Sequence, residues 1–254
     1  MCGSSTPTGK EPLTPDVLAE RVKNGDIRAI ACVITALERH EPLGSMTLGL
    51  LDTNTRCSSV IGVTGYPGAG KSTLIDQLAK AYRRQGEKVG IIAVDATSPL
   101  TGGALLGDRI RMQQHTQDLG VFIRSMATRG QHGGLAPSTY KAVRVLEAAG
   151  YGVIFVETVG VGQDEGDITH VVQTVVVVVA PGLGDEVQAM KAGLFEIAHI
   201  VVVNKGDREG ADTTVRELQQ WLPQVLRAVA LKSGGISELV EAIESHQRQG
   251  MVPP

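Results

Sequence analysis

Eight consecutive positions constrain this chain more than any other feature. Gly65-Tyr66-Pro67-Gly68-Ala69-Gly70-Lys71-Ser72 fits the phosphate-loop pattern G-x-x-x-x-G-K-[ST], and Thr73 follows directly. The glycines admit positive φ and let bare backbone approach a phosphate where a Cβ would stand in the way. Successive N–H groups form an anion-binding nest, and the helix that follows adds its positive end. Lys71 brings a point charge to the β and γ phosphates, and the Ser72 hydroxyl is a ligand for Mg²⁺. The flanks agree, with a β-branched apolar run at 60–64 and helical spacing of Leu74, Leu78, Ala81 and Tyr82. A Gly-rich turn that binds nothing is the competing reading, and the strand-loop-helix context argues against it. The expectation is a nucleoside triphosphate site.

Further positions serve the same chemistry. Asp95 ends the apolar run 89–94, and Asp108 opens a helical pattern with Arg109 and Arg111. Carboxylates at a strand end beside a phosphate loop are placed for Mg²⁺ or its waters, although Asp108 also reads as a helix cap. The strand at 152–156 runs into Glu157, with Gly160 three positions on. That spacing suits a metal-supporting carboxylate and a glycine N–H that reads the γ-phosphate, with Glu where Asp is usual. Val161 stands where Ras-type GTPases carry a water-orienting glutamine, and Gln163 serves only if the loop folds differently, so unaided hydrolysis is expected to be slow. The catalytic candidates are Lys71, Glu157, Gln163 and Arg109; the metal candidates are Ser72, Asp95, Asp108 and Glu157. Arg111, Arg124 and Arg129 are further charge stabilisers.

Asn204-Lys205-Gly206-Asp207 follows the apolar run 199–203 and fits N-K-x-D. A carboxylate accepts from both N1–H and the 2-amino group of guanine, and adenine would leave it unpaired. Ala230-Leu231-Lys232 ends the next strand, where GTPases place the loop that closes over the base. The nucleotide-binding candidates are thus Gly65, Gly68, Ala69, Gly70, Lys71, Ser72, Thr73, Gly160, Asn204, Lys205, Asp207, Ala230 and Leu231, with GTP/GDP and Mg²⁺ as cofactors.

From residue 60 onward, apolar strand-length runs alternate with helical patterns, the mark of a parallel sheet covered on both faces. Strands are expected at 60–64, 89–94, 121–126, 152–156, 174–180, 199–203 and 225–231. Helices are expected near 71–85, 108–117, 136–149, 187–198, 210–221 and 235–248. The fold class is a P-loop three-layer α/β/α domain, residues 58–250, with a mostly parallel sheet. Before it come a flexible start (1–12) and a short helical extension (13–57), read as a hairpin with apolar faces around Val17, Leu18, Val22 and Ile27, Ile30, Ile34, Leu37. Of 254 residues, 42% are hydrophobic and 20% charged, which indicates an ordinary globular chain, and a net charge of −3 argues against a nucleic-acid binder. Cys2, Cys32 and Cys57 show no paired spacing, and no apolar run is long enough to span a membrane, so the expected setting is cytoplasmic. Trp221 is expected to pack at a helix end. His132 lies in a Gly loop, and no His spacing indicates a metal site.

Together these residues resemble the MeaB/ArgK family, the GTPases associated with methylmalonyl-CoA mutase and its relatives. The resemblance runs from about Leu18 to His246. It is carried by residues 62–73, 98–112, 126–130 with 133–136, 157–163 and 181–186 with Lys191. It implies a G-protein chaperone that gates adenosylcobalamin loading of a B12-dependent acyl-CoA mutase and protects or reactivates it. It also implies Mg²⁺ roles for Ser72, Asp95, Asp108 and Glu157, and switch regions between Gln163 and Lys191. Three departures stand out: Asp164 after Gln163 where Ser is usual, Gly206 rather than Ala in N-K-x-D, and the lack of a long dimerisation arm after His246. A nucleotide-dependent homodimer is expected through the main domain instead. The alternatives are a nickel-type metallocentre-insertion GTPase, which needs a Cys/His site, and a P-loop kinase or transport ATPase.

Overall fold

The computed structural model describes residues 13–51, 58–95, 118–128, 134–160, 165–182 and 193–250. Its centre is a seven-stranded sheet: β1 (Ser59–Thr64), β2 (Val89–Asp95), β3 (Val121–Ala127), β4 (Val153–Glu157), β5 (Thr174–Val179), β6 (Ile200–Val203) and β7 (Val225–Arg227). The spatial order is β3-β2-β4-β1-β5-β6-β7, and every pairing is parallel. The apolar runs lack alternation because both faces are covered. Val175, Val177 and Val179 point into one core while Val176 and Val178 point into the other. The chain leaves β1 at the carboxyl ends of the strands, where β4 and β5 flank it, the usual place for a ligand in an open α/β sheet.

One face is covered by α4 (Lys71–Arg84) and α7 (Ile236–Gly250), through Leu74, Ile75, Leu78, Leu239 and Ile243. The other is covered by α5 (Thr139–Ala148), by α6 (Ala211–Gln219) through Leu218, and by a 3₁₀ segment, Glu165–His170. Gly62 lets that segment lie close to β1: a Cβ there would stand 2.5 Å from Ile168 Cδ1. The helical extension joins this second layer. In α1 (Pro15–Lys23), Thr14 caps with a 3.4 Å bond from Val17 N–H, and Pro15 takes the first turn. In α2 (Ile27–Glu38), Asp26 accepts from the N–H groups of Arg28 and Ala29, while the Arg21 guanidinium beside it holds its carboxyl below the usual range. Leu18, Val22, Ile30, Val33, Ile34 and Leu37 are buried in the same core as α5, each stabilising by roughly 1.5–3 kcal/mol. A third helix, α3 (Pro42–Leu50), completes the extension and crosses α2 at Gly44, where a Cβ would sit 2.7 Å from the Leu37 nitrogen.

The seven strands fall where the sequence places them, apart from β7, expected over 225–231. It stops at Arg227 because the chain leaves the ladder for a 3₁₀ turn, Ala230–Lys232. The helix expected near 187–198 is not helical over 193–198, where turns tuck Leu194 into the core; residues 183–192 lie outside the described residues, as do 1–12 and 108–117. Trp221 is 69% exposed, and Leu222 takes the inward position beyond α6. No helix among the described residues is long and apolar enough to cross a membrane.

At the amino ends of β5 and β6 the rings of His199 and His246 lie tilted against each other with centroids 4.2 Å apart. Val175 N–H donates to His199 Nδ1 at 2.9 Å, and Thr174 Oγ1 lies 3.0 Å from His246 Nδ1. Burial pushes both imidazoles below their ordinary value, and for His199 the nearby His246 adds to it. The unfolded chain therefore binds protons first as pH falls below about 6.5. Stability from the neutral pair is complete above that pH and is lost as pH falls toward the folded-state values. Thermal unfolding between about pH 8 and 5 should show Tm dropping below about 6.5, and His246→Gln should flatten that drop. Identical curves would show that the pair does not titrate.

Candidate functional site

Three loops at the carboxyl ends of β1, β4 and β6 meet around the phosphate-loop sequence. Gly65 has φ +131°, and a Cβ there would run into the Val178 carbonyl of β5, so only glycine can leave β1 at this angle. Gly68 and Gly70 also have positive φ, and Gly70 precedes the first turn of α4. Lys71, nearly buried, donates from Nζ to the carbonyls of Gly65 at 2.7 Å and Tyr66 at 3.4 Å. Its ammonium therefore lies within the loop's curve rather than in solvent. Gly160, with φ +82°, comes in from β4: a Cβ on it would stand 2.5 Å from Lys71 Nζ and collide with the Gly65 carbonyl oxygen. The glycine expected to read a γ-phosphate thus abuts the lysine expected to neutralise one.

Ser72 and Glu157 are both buried, and Ser72 Oγ donates to Glu157 Oε1 at 2.8 Å. Pairing of Ala93 with Glu157 places Asp95 two residues farther along the neighbouring strand, toward the same end of the sheet. These are hard oxygen donors on three elements, and a hydroxyl with carboxylates is a donor set that fits Mg²⁺. Below the site, Thr158 Oγ1 donates to Thr64 Oγ1 at 2.9 Å and Thr158 N–H to the Val63 carbonyl, fastening the chain beyond β4 to β1. Thr73 is half-buried in the first turn of α4.

Asn204 is a latch rather than an exposed base contact. Buried at the end of β6, it donates from Nδ2 to the Ala69 carbonyl at 2.9 Å and accepts at Oδ1 from Ala230 N–H at 3.1 Å. Lys205, in the left-handed region at φ +56°, reaches across to the Gly68 carbonyl at 2.6 Å. Asp207 is exposed and pairs with Lys232 at 2.9 Å. The Lys232 ammonium is the main reason its carboxyl is held below the usual range. Leu231 is 86% exposed beside this loop, while Ala230 is buried.

The fold therefore brings together residues 65–73, 157, 160, 204–207 and 230–231, with Asp95 at the same end of the sheet. Asp108, Arg109, Arg111, Gln163, Arg129 and His132 lie outside the described residues. Arg124 is not a charge stabiliser of this site: its guanidinium donates to Thr35 Oγ1 at 3.0 Å and pairs with Glu38, holding α2 against β3. The sequence marks Lys232 only as the end of a strand with Ala230 and Leu231, and gives Arg227 no role. Lys232 carried a signal in its position after Ala230-Leu231, whereas Arg227 read only as a strand residue.

The family model described as methylmalonyl Co-A mutase-associated GTPase MeaB matches residues 27–251. A Pyrococcus horikoshii protein named as a GTPase is 53% identical over 246 residues, covering 92% of this chain and 78% of that one. GTPase ArgK of Escherichia coli is 35% identical over 241 residues, 88% of this chain and 73% of its own. The crystal structure of an LAO/AO transport system kinase superposes with a TM-score of 0.70 at 27% identity, covering 95% of this chain and 77% of that one.

The buried position of Lys71 generates a direct expectation. Lys71→Ala should remove the charge from the loop while leaving the apolar contacts of α4 in place, so triphosphate binding is lost and the fold is kept. Calorimetry with GTP, alongside circular dichroism, checks this. Near-normal affinity in the folded variant would refute the phosphate-loop assignment.

Proposed function

The chain belongs to the methylmalonyl-CoA mutase-associated GTPase family, and from that premise we propose that it is the G-protein chaperone of an adenosylcobalamin-dependent acyl-CoA mutase. In this reading it gates cofactor loading and protects or reactivates the mutase, acting in the cytoplasm. The observation that carries the proposal is the contact of Gly160 with Lys71 and Gly65. A loop whose position is set against the phosphate lysine senses whether a γ-phosphate is present and passes that state to residues 161–191. The metallocentre-insertion, kinase and transport ATPase alternatives are not favoured by the family match.

Each residue then has a task. The N–H groups of residues 68–73 cradle the phosphates, and an incoming γ-phosphate oxygen competes with the Gly65 and Tyr66 carbonyls for Lys71 Nζ. Ser72, Asp95 and Glu157 are the residues that would hold Mg²⁺, with Asp108 as the further candidate, and the ion would supply charge neutralisation for the phosphates. Asn204 keeps the base loop and phosphate loop in register, Lys205 packs across to Gly68, and Asp207 accepts from guanine while Ala230 and Leu231 border the base. Glu157, Gln163 and Arg109 are the groups proposed to act on the attacking water and the transferring phosphoryl group. Val161 supplies no water-orienting group, so the isolated protein turns over slowly and a bound partner raises the rate.

Turnover of GTP and ATP, measured with and without an adenosylcobalamin-dependent mutase, tests the reading. Slow GTP hydrolysis that rises on adding the mutase, with ATP ignored, is the expected result. Fast hydrolysis that no such mutase changes would point to an independent enzyme.

A further inference from the structure

The loop that carries Asp207 is held by Arg227, the last residue of β7. One guanidinium nitrogen of Arg227 donates to the Gly206 carbonyl, and the other donates to Asp212 Oδ1 at 2.7 Å in the first turn of α6. Gly206 N–H is given to the Ala228 carbonyl at 2.8 Å. The side chain of Arg227 also lies against the Gly206 α-carbon: a Cβ at 206 would stand 2.6 Å from Arg227 Cγ, 2.8 Å from its Nε and 3.0 Å from the Ala228 carbonyl oxygen.

The Gly206 carbonyl belongs to the peptide plane that runs through the Asp207 nitrogen to the Asp207 α-carbon. Planarity means that fixing the carbonyl oxygen fixes that plane, and with it the axis about which Asp207 is set. Asp207 therefore has two separate restraints. Lys232 holds its carboxylate, and Arg227 holds the backbone that aims it. As a stability element the Arg227–Asp212 pair is worth little, because its side chains are 48% and 68% exposed. Its geometric effect falls on the residue proposed to read the base.

We infer that Arg227 is a positioning residue for base selection, acting through the Gly206 carbonyl on the direction of Asp207, and that glycine stands at 206 because Arg227 fills the space a Cβ would take. The inference rests on the proposed guanine-reading role of Asp207. It also accounts for the departure from N-K-A-D: the small residue at 206 and the arginine at 227 are one unit.

The test uses the full chain and three nucleotides, GDP, IDP and ADP, with affinities from calorimetry and Tm as a fold check. IDP keeps N1–H and lacks the 2-amino group, so the GDP/IDP ratio reports whether the carboxylate meets both donors. Arg227→Ala should weaken GDP about tenfold or more and shrink the GDP/IDP ratio, with Tm nearly unchanged. Gly206→Ala should do the same by displacing the guanidinium. The double variant should be no worse than either single variant, because both remove one contact. An unchanged ratio in Arg227→Ala, or losses that multiply in the double variant, would overturn the inference. Asp207→Asn separates the two readings: if it collapses the ratio and Arg227→Ala does not, only the Arg227 role falls. If Asp207→Asn leaves the ratio intact, the guanine-reading role and the inference fall together.

Discussion

The carbonyl oxygen of Gly65 is the point on which the nucleotide end of the molecule turns. It accepts from Lys71 Nζ at 2.7 Å, and Gly160 approaches it so closely that no side chain fits between them. On the other side of the same residue, the Val178 carbonyl leaves no room for a Cβ. Three backbones from β1, β4 and β5 are thereby forced together, and the loop between them is shaped by exclusion as much as by hydrogen bonds. A lysine that would cost free energy if buried alone is satisfied by backbone carbonyls, which keeps it in place.

Asn204 extends this arrangement sideways. By bonding to Ala69 and Ala230 it makes the phosphate loop, the β6 loop and the turn after β7 one hydrogen-bonded piece. Gly70 takes part in the same way, since a Cβ there would collide with the Asn204 amide. The parts assigned to phosphate and base are thus coupled through backbone rather than through flexible side chains. Such coupling fits a site that must hold a ligand with two chemically different ends.

The strands and the glycine-lysine loop were legible because both leave local marks: uninterrupted Val and Ile runs for strands buried on both faces, and glycine where φ must be positive. The N-K-G-D stretch was legible for its chemistry, although the asparagine's work as a latch between loops is a tertiary fact. Helix α3 was missed because Gly44 and Gly49 are poor helix residues, and it forms through close packing of Gly44 on α2. Arg124 looked like one more cation near phosphate, and its partners Thr35 and Glu38 lie far away in sequence. Trp221 was expected to pack at a helix end, yet it is 69% exposed while its neighbour Leu222 faces the core. Arg227 left no local mark because its meaning depends on Gly206 lying beneath it.

The order of the sheet bears on how the molecule assembles as it is made. Helices α1 and α2 precede the sheet in sequence, but the helix they bury against, α5, begins only at Thr139. The phosphate-loop strand β1 gains its neighbours later still, from β4 at Val153 and β5 at Thr174. Until β4 and β5 are in place, the strand at the middle of the finished sheet is an open edge. Distant pairings of this kind slow folding and expose apolar surface to aggregation. The nucleotide loop therefore takes its final shape only once strands encoded well beyond it have joined the sheet on both sides of β1.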